Sequence, residues 1–395
     1  MKISLANRMK GFQPLIFSEL SAYKAQKIAQ GCSMIDLSIG SPDLSPPDFI
    51  KDALSKAVRD DEAYGYTLTG IKEFNQAVTT YYKQNYQISL NADTEVLLSM
   101  GSQDALVHIP MVFSNPGDYV LVPDPGYTAY DAGIAMAESV PYYMPLKTEN
   151  GFLPDLKAIP EEVAEKTSMM ILNFPGNPVP VQATEAFYQQ AIAFAKRYNI
   201  LIIHDFAYGE LYFDGKKPIS FLQMEGAMDV GVETNSLSKS FNLAGGRIGY
   251  LAGNAEIIRQ FNRMKSNLDY GVFRPMQEAG ILALLEGQAF CSQSREIYQK
   301  RRDAFVQTAA QYGWDIPSPE GGMFMWAPVP ADMTSMDFAI SVMDECHVVI
   351  TPGHAFGPSG EGYVRIALVQ NEGKLTEAAK KIGETFFSKQ TLNHI

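Results

Sequence analysis

The sequence predicts an α/β protein whose large domain is built on a mainly parallel central sheet, with a smaller α+β domain assembled from both ends of the chain. Three observations carry that expectation. Short β-rich apolar runs alternate with helix-length segments through the middle of the sequence, the rhythm of strands joined by crossover helices. At 395 residues a single core stops growing and the chain divides. The first 45 residues and the stretch after 285 lack the rhythm. The expected division is therefore 1–45 with 285–395 for the small domain and 46–284 for the large one.

Taken in order, the strand candidates are 96–99, 119–122, 169–172, 200–204, 231–234 and 248–252, which make one sheet of six. Between them, residues 103–113 and 184–198 repeat apolar side chains every three or four positions, as the buried face of a helix does. Residues 289–312 form a polar, charge-rich helix pattern. It is broken by the turn-rich Pro317-Ser318-Pro319-Glu320-Gly321-Gly322, after which short strands follow. No internal repeat or low-complexity segment is present.

Composition narrows the function. A chain 46% hydrophobic and 19% charged is a soluble globular one. The formal charge of −12, from 44 acidic and 32 basic side chains, argues against a nucleic-acid binder, which needs clustered Lys and Arg. Cys32, Cys291 and Cys346 are too few and too scattered for a disulfide framework or a metal knuckle. No metal is expected. The N-terminal residues lack the apolar run of a signal peptide, and no later stretch reaches about 18 uninterrupted apolar residues. The expectation is a cytoplasmic enzyme or regulator with no membrane partner.

The strongest chemical signal is Ser236-Leu237-Ser238-Lys239-Ser240, with Arg247 eight residues beyond the Lys. A Lys among short polar neighbours, after a buried strand and near another cation, has a lowered pKa, and its neutral amine attacks carbonyl carbons. The flanking hydroxyls and Arg247 outline a site for a dianion, which weighs against an ordinary solvated Lys. Upstream, Gly101-Ser102-Gln103 opens a helix after a strand, where free N–H groups and the positive dipole end bind phosphate; a plain helix cap is the competing reading. Asp205, at the end of a strand, sits at the carboxyl edge of a parallel sheet, where ligands of open α/β sheets bind; the alternative is a cap for a following helix. Asn177, in Asn173-Phe174-Pro175-Gly176-Asn177-Pro178, is projected by a loop that two prolines and a glycine hold. Arg365, in Gly362-Tyr363-Val364-Arg365-Ile366-Ala367-Leu368, is either a carboxylate clamp or a surface Arg on an edge strand. Its strand is expected to bury alternate positions only.

In these motifs and in their order, nearly the whole chain resembles the fold-type-I pyridoxal-phosphate enzymes of the aspartate aminotransferase superfamily, and in particular the class I and II aminotransferases. The resemblance implies pyridoxal 5′-phosphate as cofactor and Lys239 as the residue that holds it as a Schiff base. It implies Arg247, Ser236, Ser238, Gly101, Ser102 and Gln103 around the phosphate, and Asp205 opposite the pyridine nitrogen. Tyr208 and Asn177 would face the ring's phenolic oxygen, with Tyr127 stacked on the ring. Arg365, Asn177 and Gly40 would form the substrate carboxylate pocket. The family commonly continues its Asn-Pro with Thr-Gly, whereas Val179-Pro180 stands here, and the following turn departs accordingly.

A family Tyr donated across a homodimer to the neighbouring phosphate falls at Gly65, between Tyr64 and Tyr66, and Tyr66 is taken as the candidate. The implied function is ping-pong transfer of an amino group between an L-amino acid and a 2-oxo acid, with LL-diaminopimelate, methionine or an aromatic amino acid as donor. Arg274 is a positional candidate for a second carboxylate contact. Two rivals remain: a carbon–sulfur lyase or decarboxylase using the same electron sink, and a cofactor-sensing regulator. The regulator would need a basic DNA-binding arm ahead of motifs that already begin within the first 45 residues.

Overall fold

The structure, a computed structural model, describes residues 3–12 and 16–388. Twelve strands occur among these residues: β1 (Ile35–Asp36), β2 (Val96–Ser99), β3 (Tyr119–Asp124), β4 (Val140–Pro145), β5 (Thr167–Leu172), β6 (Leu201–Asp205), β7 (Gly231–Ser236), β8 (Gly249–Gly253), β9 (Phe324–Pro328), β10 (Val348–Val349), β11 (Thr351–Pro352) and β12 (Tyr363–Ala367). β2 to β8 form one sheet in the order β2-β8-β7-β6-β5-β3-β4. Its pairs are parallel except those made by β8, which runs antiparallel to both β2 and β7.

The central strands read as unbroken apolar runs because helices cover both faces; Met169, Met170, Ile171, Leu172, Ile202 and Ile203 are all completely buried. The six expected strands are present, and β4 is a seventh. Two prolines, Pro141 and Pro145, disguise it. A strand carries prolines most easily at an edge, where the missing donor would have faced solvent. β4 occupies that position, with Val140 40% exposed. Helices Ser102–Phe113 and Glu185–Tyr198 lie within a residue of the expected spans, and the long polar pattern is the helix Gln288–Gln311.

Both chain ends meet in the remaining sheets. β1 pairs in parallel with β10, so Ile35 faces Val348, and β11-β12-β9 form an antiparallel sheet. The helix Gln288–Gln311 bridges the two cores: Cys291 packs with the large one, Tyr298, Phe305 and Ala309 with the small one. Ala207, Tyr208, Leu211 and Phe213, from mid-chain, also belong to the small core. We propose the division at 45 and 285, crossed by the start of the helix Gln288–Gln311 and by residues 207–213. β12 departs from the expected one-sided strand: it is the central strand of its sheet, and Val364, Arg365 and Ile366 are all buried.

Because β8 is antiparallel to both neighbours, β2 and β7 point the same way, as do β5 and β6. Their carboxyl ends therefore share one edge of the sheet, and the segments that leave them carry Gly101, Asn173, Asp205 and Lys239.

Candidate active site

At that edge lies a cavity of about 270 Å³ whose walls include Ser38, Gly40, Ser102, Tyr127, Asn177, Asp205, Tyr208, Lys239 and Arg365. Lys239 sits in the one-turn helix Leu237–Ser240, started by Ser236, whose hydroxyl accepts the N–H of Ser238 at 3.2 Å. Its Nζ donates to the carbonyl of Gly40 at 2.6 Å. Burial first, and then the charges of Arg365 and Arg247, push the Lys239 amine down to about 8 against the pull of Asp205. A substantial neutral fraction at neutral pH is what a carbonyl-attacking amine requires.

Asp205 ends β6 almost fully buried, and no helix follows it to cap. Its Oδ2 accepts the hydroxyl of Tyr130 at 2.8 Å, and its Oδ1 the N–H of Ala207 at 3.3 Å. Burial raises the carboxyl's pKa despite these donors. A cationic N–H in the cavity would relieve that cost. Asn173 Nδ2 donates to the Asp205 carbonyl at 2.8 Å, and Asn173 Oδ1 accepts the N–H of Asn177 at 2.9 Å. One amide thus ties the β5 loop to the end of β6.

Arg365 is held from several sides. Nη1 donates to Asn177 Oδ1 at 2.9 Å and Nη2 to the Ser38 carbonyl at 2.8 Å, while the rings of Phe324 and Phe356 lie 4.2 and 4.7 Å from the guanidinium carbon. Its buried Nε has no hydrogen-bond partner. Burial lowers its pKa to about 10, so it stays charged at neutral pH. A buried guanidinium with an open donor and no paired carboxylate is suited to an incoming carboxylate.

The phosphate-cup candidates also converge. Gly101, at φ +82°, precedes the helix Ser102–Phe113, whose first N–H groups find no partner within the helix. A Cβ at Gly101 would lie 2.9 Å from Arg247 Nη2, so the turn and the guanidinium share a small space. Arg247 donates to the carbonyls of Ala244 and Met100 at 3.1 and 3.4 Å. Tyr127 reaches Gln103 Oε1 at 3.4 Å. These donors, the buried carboxylate and the low-pKa amine fit pyridoxal 5′-phosphate by their chemistry.

The sequence profile described as "Aminotransferase class I and II" matches residues 33–382. The chain belongs to that family. Aminotransferases of similar sequence include LL-diaminopimelate aminotransferase of Halothermothrix orenii, 40% identical over 95% of this chain and 97% of that one. The L-glutamine–4-(methylsulfanyl)-2-oxobutanoate aminotransferase of Bacillus subtilis is 38% identical over 100% of this chain and 99% of its own. Among solved structures, substrate-bound BacF from Bacillus subtilis superposes with a TM-score of 0.93 at 37% identity, covering 97% and 98% of the two chains. This aminotransferase is therefore a pyridoxal-phosphate-dependent transferase that moves an amino group.

Seven sequence candidates are not in the cavity wall: Gly101, Gln103, Ser236, Ser238 and Arg247, which belong to the turn after β2 and the segment around Lys239, and Tyr66 and Arg274. Tyr66 is 83% exposed and packs its ring on Tyr270 at 4.9 Å, while Tyr64 donates to the Val58 carbonyl at 2.8 Å. Arg274 pairs with Glu278 one helical turn on, at 2.9 Å. Conversely, Tyr130, Asn173 and Ser38 hold the site from positions that the sequence reading passed over. For Tyr130 the available signal was its place three residues after Tyr127 at a helix start, which brings both rings to one face.

Proposed function

We propose that this aminotransferase takes an L-amino acid whose side chain carries no net charge as its donor, with Arg365 gripping the α-carboxylate. The carrying observation is that Arg365 and Lys239 are the only cations among the described residues lining the cavity. An aspartate-like donor would bury a second carboxylate without a partner, which is costly. Methionine, glutamine and aromatic side chains are neutral, and the distal end of LL-diaminopimelate is an ammonium–carboxylate pair of zero net charge. The two relatives of similar sequence described above have names that fall within this class.

Pyridoxal 5′-phosphate, when bound, supplies an aldehyde that accepts the amino group and a protonated ring that draws electrons from the donor's Cα. Lys239 would hold it, with Gly101, Ser102, Gln103, Ser236, Ser238 and Arg247 around the phosphate. The Asp205 carboxylate would keep the ring nitrogen protonated, Tyr127 would cover the ring face, and Tyr208 and Asn177 would face its phenolic oxygen. Arg365 orients the donor so that its Cα–H stands toward Lys239, and the neutral Nζ takes that proton. The bond from Nζ to the Gly40 carbonyl uses an N–H and leaves the lone pair of the neutral amine open for this transfer.

We also propose a cytoplasmic homodimer. Its support is a group of exposed apolar side chains: Tyr64 against Phe273, Tyr66 against Tyr270, with Leu68 and Leu268, each 44–83% exposed. No helix among the described residues is long and apolar enough to cross a membrane.

The test is a panel of donors against pyruvate and 2-oxoglutarate, read as amino-group exchange. Methionine, glutamine, phenylalanine or LL-diaminopimelate is expected to exceed aspartate in kcat/KM by about tenfold or more. Aspartate leading the panel would overturn the donor class, and pyruvate with ammonia appearing from cystathionine alone would favour lyase chemistry.

A further inference from the structure

One short loop faces both working cations of the cavity. The carbonyl of Ser38 accepts Arg365 Nη2 at 2.8 Å, and two residues later the carbonyl of Gly40 accepts Lys239 Nζ at 2.6 Å. Up to Leu37 the segment is held by backbone bonds: the Leu37 N–H donates to Val349 at 2.8 Å, and the Leu37 carbonyl accepts the Ala367 N–H at 2.8 Å. At Gly40 an added Cβ would meet nothing within 4 Å, so packing does not set the loop's path there.

The path is set by a carboxylate. Asp36 Oδ1 accepts both the N–H and the hydroxyl of Ser38, at 2.9 and 2.7 Å, closing a tight turn of the kind Asp makes two residues on. Its Oδ2 accepts Lys24 Nζ at 2.8 Å, from the helix Ile16–Ala29. At the far end, Asp43 makes a two-pronged pair with Arg301, at 2.7 and 2.8 Å. The loop is thus strung between two carboxylates, and Asp36 sits two bonds from the substrate clamp.

We propose that Asp36 is a positioning residue for substrate carboxylate recognition, acting through the Ser38 turn on Arg365, with Lys24 tethering the N-terminal helix to the same carboxylate. Asp36 touches neither substrate nor cofactor. Rotating the Ser38 carbonyl away would leave one fork of the guanidinium unheld, and a two-point contact with a carboxylate needs both forks aligned. The effect belongs on the affinity for carboxylate-bearing ligands rather than on the proton transfer at Lys239.

The inference rests on Arg365 being the carboxylate clamp, and the two fail separately. Holoenzyme carrying Asp36→Ala, Asp36→Asn or Lys24→Met is compared with wild type for KM and kcat with the best donor. Binding of 3-phenylpropionate, a carboxylate without an amino group, is followed by the shift of the visible cofactor band. Asp36→Ala is expected to raise KM and the 3-phenylpropionate Kd about tenfold, with kcat changed less than about threefold. Asp36→Asn keeps an oxygen to accept from Ser38 and is expected to recover most of the loss, with Lys24→Met close to wild type. Unchanged KM and Kd in Asp36→Ala, or an equal defect in Asp36→Asn with a wild-type melting curve, would overturn the proposal. Arg365→Lys is the separate control: if it leaves 3-phenylpropionate binding intact, the clamp assignment itself falls.

Discussion

Asp205 and Lys239 show how burial does chemical work at a single residue. Asp205 is buried and Lys239 half-buried at the same edge of the sheet, and loss of water disfavours the charged form of each: the carboxyl rises and the amine falls to about 8. The amine gains reactivity from this. The carboxylate gains a demand for a cation, which a protonated pyridine nitrogen would meet. Replacing Asp205 by Asn removes one partner of that buried pair, at a cost of roughly 3–5 kcal/mol. If most of it enters the barrier, kcat is expected to fall by about two to four decades. Steady-state turnover of Asp205→Asn checks this, and a loss below tenfold would mean that the carboxylate does not face the ring. Tyr130 and Ala207 hold the carboxylate in place, and neither has a sequence mark beyond proximity to a recognised residue.

At the scale of elements, the site is made where strands stop. β2, β5, β6 and β7 each deliver a segment to the same edge, and the turn after β2 shows how narrow the tolerance is. Gly101 adopts φ +82° with ψ 166°, a conformation nearly closed to residues with a Cβ, and its missing Cβ is the space that Arg247 uses. Gly101→Ala is expected to weaken cofactor binding by about tenfold or more, read by titrating apoenzyme with pyridoxal 5′-phosphate and following visible absorbance. An unchanged Kd would show that the turn does not cradle the phosphate. β4 and β12 are the elements that sequence patterning described least well. Prolines hide β4, and β12 buries a guanidinium between two aromatic rings where alternation alone would place it outward.

For the whole molecule, the question is what the exposed tyrosines face. Tyr66 lies outside its own chain's cavity wall, and in the proposed homodimer it is the candidate for a contact with the partner's phosphate cup. Equal amounts of Lys239→Ala and Tyr66→Ala protein, unfolded and refolded together, form mixed dimers for half of the population. Each mixed dimer holds one intact site. Activity is expected to recover to about a quarter of wild type, whereas the mean of the two parents would exclude Tyr66 from the partner's site.

Much of this protein was already decided by its sequence: the strand–helix alternation, the strand ends bearing Asp205 and Lys239, the Gly101 turn, and through the motif order the family and its cofactor. These are legible because they depend on spacing along the chain and on which side chains can sit at the end of a buried strand. Tertiary structure alone decided that Ser38, from one end of the chain, and Arg365, from the other, share a hydrogen bond, and that Tyr130 is the partner of Asp205. It alone placed Arg365 on a central strand and sent residues 207–213 into the small core. Such contacts join residues up to 327 positions apart. They follow from how layers pack in three dimensions, and no local pattern records which buried polar group will meet which.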